Sequence, residues 1–326
     1  MLGRSRLAAG AALILALPGI GLASASAATA TAAPALAHHG LAAGALPFGA
    51  KPQHSFSTQR TVSKNLTYYG GKVLANIKIV QVRYGSGTYQ NYVGTGSGTT
   101  GAFYSAIAGS SYVGWLNSNY ATTSPAQTIG LGTFAGQYTI TPSAANAPST
   151  QKVCTSSGSL RVTDAQIQAE LKLQVANKVL PAPDANTYYA VYFPAGVGIQ
   201  QGTSCSGVSG GFCAYHGTVA ASSANPEFYY GVLPDFTTAG MATGCGSAAT
   251  PFGNVTSVSS HEMTETITDA QVGIATKVGA PLAWYNSTYG EIGDLCNAQQ
   301  ASVVGTDGVT YVVQKEWSNS AGACRT

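Results

Sequence analysis

Six cysteines constrain this chain more than any other feature: Cys154, Cys205, Cys213, Cys245, Cys296 and Cys324. An even number in an exported chain reads as three disulfides, because that compartment is oxidising. The N-terminus supports export. Arg4 and Arg6 give a short positive region, an apolar run extends from Leu7 to Leu22, and small residues follow from Ala23 to Ala27. This is the pattern of a secretory signal over residues 1–27, cleaved near Ala27. The sequence does not choose among the possible pairings, and the working expectation is Cys205–Cys213, Cys296–Cys324 and Cys154–Cys245. No Cys-x-x-Cys spacing is present, which argues against metal ligation by cysteine.

Charge is scarce. Only 8% of residues are Asp, Glu, Lys or Arg, and removing Arg4 and Arg6 from the 15 basic residues leaves near-balance with the 12 acidic ones. Such a chain has no broad basic face for phosphates, so nucleic acid is not an expected partner. No later segment has the length and apolarity of a membrane span, so the chain is expected to have no membrane association once the signal is removed. Oligomeric state is left open by the sequence.

Residues 28–60 are Ala-rich, contain Pro, His and Ser, and include no acidic residue; they read as a linker or pro-segment. His38 and His39 are taken as incidental. Residues 61–326 read as one globular domain. Ile77 to Tyr84 alternates apolar and polar residues, as a half-buried strand does. Residues 101–120 suggest one or two short helices, and residues 128–140 a strand and turn. From Thr163 to Leu180 the spacing predicts a helix. Thr163 and Gln166 form a capping box, Ile167, Leu171, Val175 and Val179 a core stripe, and Pro181 the stop. Thr187–Phe193 and Phe228–Leu233 read as buried strands, and Val303–Val313 as a hairpin turning at Asp307-Gly308. The fold class expected is α/β or α+β, with a mixed central sheet flanked by helices.

Asn254 to Asp269 (NVTSVSSHEMTETITD) predicts a helix of chemical interest. Residues four apart share a helix face, so His261 and Glu265 project together, with Asp269 one turn on and Glu262 rotated aside. The spacing matches the His-Glu-x-x-His zinc helix with a carboxylate in place of the second imidazole. In that motif the intervening Glu takes a proton from the water that the metal activates. Of 12 acidic residues, five (Glu262, Glu265, Asp269, Glu291 and Asp294) fall within residues 261–296, where Lys277 is the only Lys or Arg. Carboxylates gathered so closely repel unless protons or a cation sit among them. The metal ligands expected are His261, Glu265 and one of Glu291 or Asp294, with Zn2+ or another divalent cation as cofactor and Glu262 as catalytic base. His216 reads as a structural hydrogen-bonder beside a disulfide. No Gly-x-Ser-x-Gly elbow or phosphate-binding loop occurs.

Several segments together resemble the Exordium, or phosphate-induced protein 1, family of secreted proteins, particularly its bacterial members. They are TDAQIQAEL at 163–171, YYAVYFPAGV at 188–197, CAYHG at 213–217, SSHEMTETITDA at 259–270, AWYNS at 283–287 and EIGDLC at 291–296. The resemblance implies a zincin-like helix with His261, Glu265 and Glu291 or Asp294 as ligands and Glu262 as base. This chain departs from the usual Thr-Asp-Pro by carrying Ala270.

Three functions follow as expectations. The first is a secreted metal-dependent hydrolase, a zinc metallopeptidase-like protein acting on a peptide or cell-wall substrate. The second is a non-catalytic extracellular protein that binds carbohydrate through exposed rings such as Trp115, Trp284 and Trp317, with a structural metal. The third is a calcium site that only stabilises the fold.

Overall fold

The strand at Thr187–Tyr192 consists of Thr-Tyr-Tyr-Ala-Val-Tyr, and every one of these side chains is buried. A strand buried on both faces belongs in the middle of a sheet covered on each side, as in layered α/β folds. In this computed structural model the described residues are 64–326 without 151–153, 155–157, 224 and 239, plus the backbone of residues 44–47. The signal region and the remainder of the 28–60 segment lie outside them.

The central sheet has six strands: β1 (Gly44–Pro47), β2 (Lys78–Tyr84), β3 (Thr133–Ile140), β4 (Thr187–Tyr192), β5 (Phe212–Val219) and β6 (Phe228–Leu233). Their spatial order is β1-β5-β6-β4-β2-β3. The run β6, β4, β2, β3 is parallel, while β5 runs antiparallel to β6 and β1 antiparallel to β5. The sheet is therefore mixed, and the fold is α/β.

Three main helices cover it: α1 (Thr100–Ala108), α2 (Asp164–Ala176) and α3 (Pro251–Thr268). One face packs Ile79 with Phe103 and Ile107 of α1 and Val255, Val258, Met263 and Ile267 of α3. The other packs Val80, Val82 and Val191 with Ile167, Leu171 and Val175 of α2. Strand β2 is thus buried on both faces rather than half-buried. Its Gln81 is fully buried and donates to Gln137 Oε1 at 2.6 Å.

Helix α2 carries the expected capping box at Thr163 and Gln166. It ends at Ala176, before Pro181, because Lys178 takes a left-handed conformation (φ 61°) and the Val179 amide turns back to Gln174 O. Val179 consequently points outward and Leu180 fills the core position. Residues 100–120 form three short helices. The hairpin is β7 (Gln300–Val304) and β8 (Thr310–Gln314), with Gly308 at φ 77° in its turn. A further pair, β9 (Glu316–Ser318) and β10 (Ala323–Arg325), closes the chain.

The disulfides are Cys154–Cys205, Cys213–Cys245 and Cys296–Cys324. Only the last matches the expected pairing. Cys213 sits on β5, facing the α3 side of the sheet, and so meets Cys245 just before α3 rather than its sequence neighbour Cys205. Among the described residues no helix is long and apolar enough to cross a membrane.

Candidate metal centre

Helix α3 begins three residues earlier than the sequence pattern suggests, with Thr250 as its N-cap and Pro251 in its first turn. It runs through the interior: every residue from Gly253 to Thr268 is buried. Seven hydroxyl residues among them are tolerated partly because Thr and Ser hydroxyls donate back to carbonyls a turn earlier, as Thr264 does to Ser260 O and Thr266 to Glu262 O. The helix therefore presents His261 and Glu265 inward, on one face.

His261 Nε2 lies 3.1 Å from Glu265 Oε2. The segment containing Glu291 and Asp294 reaches both. Ligand atoms of His261, Glu265 and Asp294 all lie within 4.8 Å of one another, and so do those of His216, Glu262 and Glu265. His216 Nε2 is 3.2 Å from Glu291 Oε2 and 3.5 Å from Glu265 Oε2. Glu265 is the hub, with His261 and Asp294 on one side and His216 and Glu291 on the other. Asp269, one turn beyond, caps the helix and accepts from Ala283 N at 2.8 Å.

Two glycines allow this approach. A Cβ at Gly293 would come within 2.4 Å of His261 Nδ1 and 2.9 Å of Glu265 Oε1. At Gly290 (φ +88°) it would meet Asp294 Oδ2 at 2.1 Å. Only hydrogen fits at either place.

The electrostatics follow from confinement. Two like charges about 4 Å apart repel by about 4 kcal/mol at an effective dielectric of about 20. Burial, with the charges of Glu265, Asp269 and Asp294, pushes Glu291 well above the usual carboxylate range. Burial and Glu265 raise Asp294 to about 8, against the pull of His261. Burial likewise lifts Asp269 and Glu316. Burial disfavours a charged His261, yet Glu265, Glu262 and Glu316 hold it well above its ordinary value. Burial depresses His216 to about 4 despite Glu265. A divalent cation among these groups would reverse the balance, favouring the carboxylates ionised and the imidazoles neutral.

Unsatisfied atoms are consistent with a cation. Among the described residues Glu291 Oε1 is buried without a hydrogen-bond partner, and His261 Nε2 and Glu265 Oε2 face mainly each other at 3.1 Å, with His216 Nε2 3.5 Å from the latter. Such atoms are rare in folded proteins, and protons, water or a cation among them would satisfy them. The donor set of imidazole and carboxylate oxygen suits zinc, manganese or calcium.

Three participants carry little signal in the sequence. His216 is the first: β5 delivers it opposite Glu291, so the expected hydrogen-bonder makes its bond at the edge of the acidic cluster. Glu316 is the second; it is fully buried and accepts from the Tyr112 hydroxyl at 2.9 Å. Gln314, the third, donates from Nε2 to Gly293 O (2.9 Å) and to His261 Nδ1 (2.7 Å). The tryptophans pack inward. Trp317 is buried, Trp284 donates to Tyr120 O at 2.7 Å, and Trp115 packs on Tyr120.

Compared with protein-family models, with curated proteins and with solved structures, the chain matches none.

Proposed function

We propose that this chain is a secreted metal-dependent hydrolase of the metallopeptidase kind. His261, Glu265 and Asp294 would hold a divalent cation, with Glu291 and His216 at its other flank. The observation that carries the reading is the convergence of both halves of the His-Glu-x-x-Glu helix with the 291–294 segment in one buried space. The family resemblance agrees with it, and the disulfides and signal-like N-terminus agree with export.

A cation held there would supply Lewis acidity toward water and a scissile carbonyl. In this reading Glu262, the residue beside His261 in the motif, would accept a proton from water and return it to the leaving amine. Glu265 and Asp294 bring negative charge, so a cation held by them would acidify water less than one held by neutral imidazoles alone, and Glu262 would carry more of the proton transfer.

The purified chain is expected to contain a divalent ion and to cleave unfolded protein substrates until chelated. Glu262→Gln is expected to lower turnover about 10²–10⁴-fold while the bound metal stays. Cleavage unaffected by that substitution removes Glu262 from its role, and a chain that binds no divalent ion sinks the reading. A structural cation without catalysis is the second reading, favoured by the full burial of His261, Glu262 and Glu265. Metal retention with no hydrolysis of any peptide would select it.

A further inference from the structure

Strand β5 carries His216, and without β1 it would be the edge of the sheet. Natural edge strands are protected by charge, proline, bulges or a cover. The residues of β5 (FCAYHGTV) include no Lys, Arg, Asp, Glu or Pro, and all eight are buried. The strand is thus built to be paired on both sides.

Its outer partner is a piece of the N-terminal segment. In register, Gly44 stands opposite His216, Ala45 opposite Tyr215 and Leu46 opposite Ala214, after which the ladder slips and ends at Pro47. Proline lacks the amide that would continue it. Backbone contacts place β1 against α3 as well as β5, the two elements that supply His216, His261 and Glu265. Gly-Ala-Leu-Pro brings no charge and little side-chain bulk. What it contributes is backbone, and any extended chain offers the same backbone. Short main-chain pairing to an open sheet edge is a general means of holding peptides.

We propose that the outer edge of β5 is the binding site for an extended, uncharged peptide running antiparallel to it, and that residues 44–47 occupy this site in cis as a self-blocking strand. That such a peptide would be a substrate rests on the hydrolase reading; its binding does not. A tethered strand acts at an effective concentration on the order of millimolar, so a free peptide competes poorly until the strand is displaced.

The test uses the full chain with Ala45→Pro and Leu46→Pro together. Neighbouring amides in a strand point to opposite sides, so one of these prolines must remove a ladder donor. The probe is a labelled synthetic peptide of residues 41–50, acetylated and amidated at its ends so that it carries no charge. It is expected to bind the double variant at least tenfold more tightly than the unaltered chain. Amides of residues 212–219 should exchange faster with deuterium in the variant and slow again when the peptide is added. Adding Glu262→Gln separates the two ideas. Peptide binding without cleavage in that triple variant supports the edge site whatever the catalytic outcome. Equal binding to blocked and unblocked chains, or unchanged exchange over 212–219, overturns the proposal even if the chain hydrolyses protein.

Discussion

At the scale of single residues, Gln314 would decide how His261 meets the proposed cation. Its amide nitrogen donates to both Gly293 O and His261 Nδ1, so in this arrangement a neutral ring carries its proton on Nε2, toward Glu265. Binding a cation at Nε2 requires the proton on Nδ1 and the Gln314 carbonyl turned to accept it. Ring orientation by such an outer contact is commonly worth about 10–100-fold in metal affinity. Gln314→Leu is therefore expected to weaken zinc binding by about that factor, read by competition with a chelating dye; affinity within twofold of the unaltered chain would remove Gln314 from this role. How much of the centre the sequence displays is clear from these residues. His261, Glu262 and Glu265 are legible because helical spacing is a local rule, and the acidic clustering points to Glu291 and Asp294. His216, Gln314 and Glu316 are not legible, because strand pairing and hairpin packing bring them in from 45 residues before His261 and more than 50 after it.

At the scale of elements, α2 shows how a buried carboxylate can be held without a cation. Glu170 is fully buried and accepts from Ser143 N and Oγ, Asn146 Nδ2 and Gln174 Nε2 at 2.5–3.1 Å. Burial alone would raise its pKa, but the donors of Gln174, Asn146 and Ser143 outweigh that and keep it below the ordinary 4.5. A depressed folded pKa means a contribution present above the unfolded value and lost as pH falls through the folded one. Glu170→Gln would turn an amide donor toward these donors and is expected to cost about 2–3 kcal/mol at neutral pH. The difference in denaturation midpoint should narrow below about pH 4; equal midpoints at pH 7 would show that the clamp between α2 and residues 143–146 contributes nothing. Element types were largely readable: the capping box, β6 and the 307–308 turn obey local chemistry. The end of α2 was not, since a left-handed Lys178 has no strong signature. The two-sided burial of β2 is obscured because Gln81 and Arg83 sit where alternation suggests solvent, and the partners of Gln81, Gln137 of β3 and Gly94 O, come together only in the fold.

For the molecule as a whole, a cation would bind only the folded chain. At free metal about 100-fold above Kd this stabilises by about 2.7 kcal/mol, or on the order of 5–10 °C in Tm for a domain of this size. Chelation is expected to lower Tm by that much and restoring zinc to recover it, followed by calorimetry; a melting curve indifferent to chelator would leave the buried carboxyls neutralised by protons alone. The disulfide pattern carries a separate consequence. Cys296 stands two residues beyond Asp294 and is joined to Cys324, next to the end of the chain. The segment that brings two carboxyls to helix α3 is thus braced by a bond between sulfurs that exists only after oxidation. A newly made chain in a reducing environment would carry every proposed ligand yet lack this brace, so redox surroundings, acting at a distance from the metal, help to determine when the centre takes shape.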